Sequence, residues 1–169
     1  MSEMNGFKDA ADNFSSRFEN SQLAKNMENN DIKNGSETNY DSPIVKEVKE
    51  AIKNKLDGLA REKEVGEELE KQYPPEKGYS IISEAYLRDK DGMIVKDPVA
   101  GEARRVDFVV VNDGKVVDSI EVTSKTADKT EQTAKEERIR DAGGNYIRDN
   151  DSNLVKIPTT VHTRIERRD

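Results

Sequence analysis

Val106 to Val111, reading VDFVVV, is the stretch that most constrains the fold. All but one of its residues are apolar, and most are β-branched, which suits a strand covered on both faces. The chain has little such material to spare. Hydrophobic residues make up 33% of its 169 positions and charged residues 37%, so a core spanning the whole length is not expected and part of the chain should be loose.

The neighbouring segments supply partners for that strand. Asn112-Asp113-Gly114 is turn material and leads into Lys115–Lys125 (KVVDSIEVTSK), so these two strands should pair antiparallel. Upstream, Tyr79–Leu87 is β-prone, and Asp91-Gly92 predicts a hairpin turn into Met93–Lys96. Before it, Ser42-Pro43 opens a helix on which Ile44, Val48, Ile52, Leu56 and Leu59 form one buried face. Gly66 weakens the pattern, but Val65, Leu69 and Tyr73 extend it to Pro74-Pro75. Downstream, Asp128-Lys129-Thr130-Glu131 fits a capping box for a helix through Gln132, Ile139 and Ala142 that Gly143-Gly144 closes. Asn145–Arg148 reads as a short strand and Leu154–Ile165 as one edge strand. The expected class is α/β, a mixed central sheet flanked by helices, over residues 43–169. Residues 1–42 hold eight asparagines and six serines and are expected to be flexible or partly helical, with a short helix through Phe7, Phe14, Phe18 and Leu23, then a linker over Asn26–Asp41.

Composition narrows the chemistry. Without cysteine there are no disulfides or thiolate sites, and a single histidine excludes a zinc site built on several imidazoles, so any metal must be held by oxygen. No apolar run approaches the roughly 18–20 residues of a membrane span, and the first residues lack the apolar stretch of a secretory signal. A soluble chain is expected. The net charge of -7 argues against nonspecific coating of nucleic acid. That deficit lies upstream, because residues 103–169 carry 13 basic and 13 acidic side chains.

Asp107 is the lone acid in its apolar run, where an unpaired carboxylate is costly to bury and needs a cation, a donor or a metal. On the next strand Glu121, Thr123 and Lys125 alternate onto one face. An antiparallel partner can bring Glu121 near Asp107, and a divalent ion (Mg, Mn or Zn) would relieve the repulsion, polarise a phosphoryl oxygen and activate water. Lys125 or the Thr123 hydroxyl can then orient that water or stabilise charge on phosphorus. The plainer alternatives are an Asp107 salt bridge to Arg104 or Arg105 and a surface-facing Glu121. Gln132, Lys135 and Arg138 are either a phosphate track or a solvated helix face, and Arg164, Arg167 and Arg168 either meet phosphates or form a basic tail.

Asp107 followed by a hairpin, Glu121-Val122-Thr123, and Gln132 in the next helix resembles the PD-(D/E)XK nuclease pattern over roughly residues 60–150. It departs from that pattern where the family carries lysine two residues after the second acid, for Thr123 stands there and Lys125 is the substitute on the same face. Family members carry a third acid on the first helix or strand; Glu84 is the first candidate, ahead of Glu62 and Glu68. YLRDKDGMIVKDPVAGEARRVDFVVV and EVTSKTADKTEQTAKEERIRDAGGNYIRD, with Met27-Glu28-Asn29-Asn30 upstream, resemble the C-terminal toxin regions of filamentous-haemagglutinin-like proteins used in contact-dependent growth inhibition. The resemblance implies an antibacterial endonuclease that cuts DNA or transfer RNA. It also implies delivery as part of a larger secreted or cell-surface protein, action in the target-cell cytoplasm, and a cognate immunity protein that neutralises the toxin. Two other readings stay open: a non-catalytic nucleic-acid- or protein-binding module on a degenerate nuclease fold, and a metal-independent ribonuclease using His162.

Overall fold

The structure, a computed structural model, describes residues 42–169. The helix read through Phe7–Leu23, the linker over Asn26–Asp41 and the Met27–Asn30 motif lie outside the described residues. The chain divides into two compact units, Met1–Leu59 and Ala60–Asp169. Of the first, the described part is helical from Pro43 onward, with the Ser42 hydroxyl accepting the Val45 N–H at 3.3 Å as an N-cap.

Helix α1 is Pro43–Gln72, and Gly66 does not interrupt it. Gly66 is instead part of the buried stripe, with Val65 and Leu69, and the helix stops where Pro74-Pro75 removes its donors. In the second unit the elements that follow are β1 (Tyr79–Tyr86), β2 (Arg105–Asn112), β3 (Lys115–Ser124), α2 (Thr130–Asp141), β4 (Tyr146–Arg148), β5 (Leu154–Lys156) and β6 (Arg164–Arg168). The sheet runs in the order β1-β2-β3-β5-β4, and β6 also pairs with β3. β1-β2-β3 is an antiparallel meander, whereas β5 and β6 meet β3 in parallel, so the sheet is mixed.

The β2–β3 turn carries positive φ at both Asp113 (53°) and Gly114 (72°), which gives a two-residue hairpin the strand twist it needs. Of the second hairpin read from the sequence, the first arm forms β1 and the chain turns at Asp91-Gly92, but Met93–Lys96 does not form a strand. Residues 88–103 make isolated bridges, Arg88 to Ile94 and Lys96 to Ala103, because Asp89 Oδ1 takes the N–H groups of both Asp91 and Met93 and turns the chain into a tight loop. The last apolar-polar stretch likewise splits into β5 and β6, separated by Pro158.

The two faces of β3 are dressed by different helices. On the even side, Asp118 accepts the Tyr73 hydroxyl at 2.8 Å and the Arg164 guanidinium at 3.0–3.1 Å, while Arg168 on β6 reaches Glu68 at 2.6 Å, so the end of α1 belongs to this face. On the odd side, Ser119 bonds Thr163, which in turn donates to Glu136 of α2, and Glu121 meets Gln132 of α2. Ile139 of α2 joins Val109, Val111, Val116 and Ile147 in the hydrophobic core.

At its start α2 is capped by Asp128, whose Oδ1 accepts both the N–H and the hydroxyl of Thr130; Glu131, the expected reciprocal partner, is drawn to Arg138 instead. At its end Gly143 has φ of 100° and the Gly144 N–H returns to the Ile139 carbonyl at 2.9 Å. A Cβ at Gly144 would stand 2.5 Å from Ile139 Cγ2 and 2.9 Å from its carbonyl oxygen. Gly144→Ala should therefore lose about 1–3 kcal/mol in urea unfolding as the α2–β4 junction shifts; an unchanged midpoint would show that this close approach carries no constraint.

Candidate functional site

A divergence of two strands builds the site. The β2–β3 ladder ends at the pair Phe108↔Ile120, yet β2 stays paired with β1 as far as Arg105, and β3 stays paired with β6 as far as Ser124. Past that pair the Val122 N–H goes to a side chain, Asp107 Oδ2, at 2.8 Å. Asp107 thus stands at the fork, and the register carried one step further sets it opposite Glu121. In the β1–β2 ladder, the step between Ser83↔Phe108 and Ala85↔Val106 sets Glu84 opposite Asp107. Glu84 itself has φ of 53°, a conformation that non-glycine residues adopt at a cost.

The carboxylates of this row are treated unequally. Glu121 is buried and well supplied with donors: Arg104 Nη2 at 2.8 Å, Gln132 Nε2 at 3.0 Å and Lys129 Nζ at 3.2 Å. Arg104 is itself buried and bridges Glu121 to Glu136, with Nε 3.4 Å from Glu136 Oε2. Glu84 is exposed and pairs with Arg105 at 3.4 Å. Both arginines that could have neutralised Asp107 are therefore engaged elsewhere, and among the described ion pairs none includes Asp107. Burial, with the Glu121 charge second, pushes the Asp107 carboxyl up to about 6, against the lowering effect of the Val122 N–H, Arg104 and Lys129. Glu62 on α1 is pushed up to about 7 by burial and then by the charges of Asp107, Glu84 and Glu121, so a fourth acid belongs to this neighbourhood.

Of the other residues singled out in the sequence, Thr123 is buried one step beyond Glu121 on the same side of β3. Lys125 lies past the end of β3, with its side chain 62% exposed and its ammonium 2.8 Å from Asp169. Gln132 is brought to Glu121. Lys135 pairs with Glu102, and Arg138 holds the buried Asp97 through both carboxylate oxygens at 2.7–2.8 Å. Glu68 is taken by Arg168. Arg164 is taken by Asp118, and Arg167 donates to the carbonyls of Ser124, Lys125 and Ala127. His162 lines an open cleft together with Arg104, Glu121, Lys129 and Gln132.

Lys129 and Glu136 were not singled out by sequence as site residues, and Arg104 only as a salt-bridge partner for Asp107, though a signal existed. Lys129, Gln132, Thr133 and Glu136 recur at helical spacing, one polar stripe turned to Glu121 and Arg104. Glu62 likewise falls three and seven residues before Val65 and Leu69, on the buried stripe of α1.

A divalent cation can be tested against this donor set. Among the described residues no three Asp, Glu, His or Cys side chains stand in an arrangement that would hold an ion. Asp107, which has no ion pair among the described residues, and Glu121, whose two oxygens already accept from Arg104, Lys129 and Gln132, would offer hard oxygens to an ion such as magnesium that keeps several waters and completes its shell with substrate phosphate. The raised carboxyls have a sign that can be checked. Because the folded state holds these protons more tightly than the unfolded chain, their contribution favours folding at low pH and is lost as pH rises through about 6 for Asp107 and about 7 for Glu62. In EDTA, Asp107→Asn and Glu62→Gln should each be more stable than the parent near pH ~8 by about 1 kcal/mol or more, a gain that closes near pH ~4. A gain that stayed constant across this range would show that ionisation is not its cause.

Comparisons with protein-family models, with curated proteins and with solved structures return no match. Reading of the site therefore rests on its own geometry.

Proposed function

We propose that the chain is a metal-dependent endonuclease of the PD-(D/E)XK type, an antibacterial toxin that hydrolyses phosphodiester bonds and is neutralised by a cognate immunity protein. One observation carries the reading: Asp107 is half-buried at a strand fork beside Glu121, Glu84 and Glu62, with its potential arginine partners drawn to other acids. A carboxylate placed among like charges without a countercharge costs stability, which a bound divalent cation would offset. The mixed α/β fold, with an acid on each of β1, β2 and β3 and Gln132 turned to Glu121, is compatible with that assignment.

In this reading Asp107 and Glu121 hold the ion, with Glu84 and Glu62 beside them. When bound, a divalent cation supplies a polarised phosphoryl oxygen and an activated water. Arg104 and Gln132 keep Glu121 in one rotamer, so that its oxygens need not reorganise when substrate arrives. DNA is the favoured substrate and transfer RNA the second, with the immunity protein expected to present acidic groups to the basic side chains at the cleft. No helix among the described residues is long and apolar enough to cross a membrane.

Purified chain should nick plasmid or cleave transfer RNA with magnesium, manganese or zinc and not in EDTA. Asp107→Ala should lower the rate by roughly 100-fold or more while the protein remains folded by circular dichroism. Absence of cleavage of either polymer with every metal removes the proposal and leaves the binding-module reading. His162 shares the cleft, which gives the metal-independent reading a specific test. Cleavage that survives EDTA and disappears in His162→Ala would establish it in place of the metal-dependent one.

A further inference from the structure

Position 123, where the resemblance leads one to look for a lysine, holds threonine, and Lys125 points away to Asp169. We infer that Lys129, at the N-terminus of α2, is the cation that contacts the substrate phosphate at this site. The inference rests on the nuclease reading above for its chemistry, and on the cleft for its geometry.

Four cations line the two adjoining clefts beside Glu121: Arg104, Lys129, Arg140 and Arg167. Arg104 is committed to Glu121, Glu136 and the Arg105 carbonyl. Arg140 donates to Asn145, Val161 and Pro158, and Arg167 to three backbone carbonyls at the end of β3. Arg104 and Arg140 are structural clamps with every guanidinium nitrogen engaged, whereas Arg167 is exposed, gives only its Nη1 to carbonyls, and lines the second cleft but not the one that contains Glu121. Lys129 differs on each count. It is common to both clefts, its side chain is 20% exposed, and its ammonium makes a single contact, to Glu121 Oε1 at 3.2 Å. An ammonium has three donors, so two remain for an incoming anion. Its flexible four-carbon stem also allows the charge to follow a phosphate that enters beside Glu121.

The location is a consequence of local structure. Asp128 caps Thr130 and fixes the start of α2, which leaves Lys129 immediately before the first helical turn with φ of -111°. From there its side chain reaches back along the helical stripe of Gln132 and Glu136 toward β3. A charge that the strand does not supply at position 123 is delivered to the same carboxylate from the adjoining helix. The phosphodiester is held by charge alone; Lys129 exchanges no proton in this assignment.

Two measurements on the full chain decide the matter. Binding of a fluorescein-labelled DNA duplex and of labelled transfer RNA is followed by anisotropy in EDTA across a salt series, which reads phosphate contacts without metal or turnover. Lys129→Ala should reduce the slope of log affinity against log salt by about one, with Lys129→Arg near the parent and Lys125→Ala unchanged. In metal-loaded single-turnover cleavage Lys129→Ala should fall by roughly 100-fold at saturating enzyme, with partial rescue by arginine. An unchanged salt slope overturns the inference even if cleavage is lost, since Lys129 would then act only by positioning Glu121. Cleavage of Lys129→Ala within a few-fold of the parent overturns it too, as does an absence of salt-dependent binding by the parent chain. If the parent binds with the expected slope change but cuts nothing with any metal, the nuclease reading fails while the phosphate contact stands.

Discussion

The arrangement around Asp107 and Glu121 depends on where β2 and β3 stop pairing. While two strands remain in a ladder, their backbone groups satisfy each other and their side chains alternate between two covered faces. At Phe108↔Ile120 that mutual satisfaction ends, and the Val122 N–H is left to a carboxylate. A buried donor without a partner would be expensive, so Asp107 is anchored at the fork by backbone hydrogen bonding rather than by an ion pair. The same anchorage explains why it forms no ion pair among the described residues: its orientation is set by an amide, and Arg104 and Arg105 serve other acids.

Around this point the protein distributes charge in a hierarchy. Glu121 receives two cations and an amide, Glu84 one exposed arginine, and Asp107 a single N–H. Arg104 joins Glu121 and Glu136 in a buried network, and removal of any one member would strand a charge in a poorly solvated place. The network therefore makes Glu121 a fixed reference against which the more weakly held carboxyls of Asp107 and Glu62 are arrayed. Electrostatic work of this kind is tolerated where it serves binding, and strained or uncompensated groups tend to gather at such places.

Much of the scaffold was legible in the residues. Turn chemistry at Asn112-Asp113-Gly114, apolar continuity in VDFVVV, the double proline after α1 and the paired glycines after α2 each act within a few positions of themselves, so the β2–β3 hairpin and both helices could be anticipated, whereas the pairing of β1 with β2 could not. The failures were non-local or side-chain driven. Asp89 folded a would-be hairpin into a tight loop by taking backbone donors, and Pro158 divided a would-be edge strand whose halves join β3 in parallel, a pairing that no local pattern announces. In the site, Asp107 and Glu121 were visible as acids among apolar neighbours. Lys129 was not visible as a partner, and Arg104 was read only as a partner for Asp107, because each resembles any solvated charge until the register of the sheet brings it to Glu121. The buried stripe of α1 was legible only in part: Val65 and Leu69 declared it, whereas Glu62 looked like one glutamate among many.

The strand that finishes the cleft arrives late in the chain. β3 acquires β6 across some forty residues of intervening sequence, and His162, Thr163 and Ile165 wall the space next to Glu121. Parallel pairing over such a separation must overcome loop-closure entropy before it returns any contact energy, so it forms slowly relative to the β2–β3 hairpin. The wall beside Glu121 is therefore made by contacts of long sequence separation, whereas β2 and β3, which carry Asp107 and Glu121, meet across a two-residue turn.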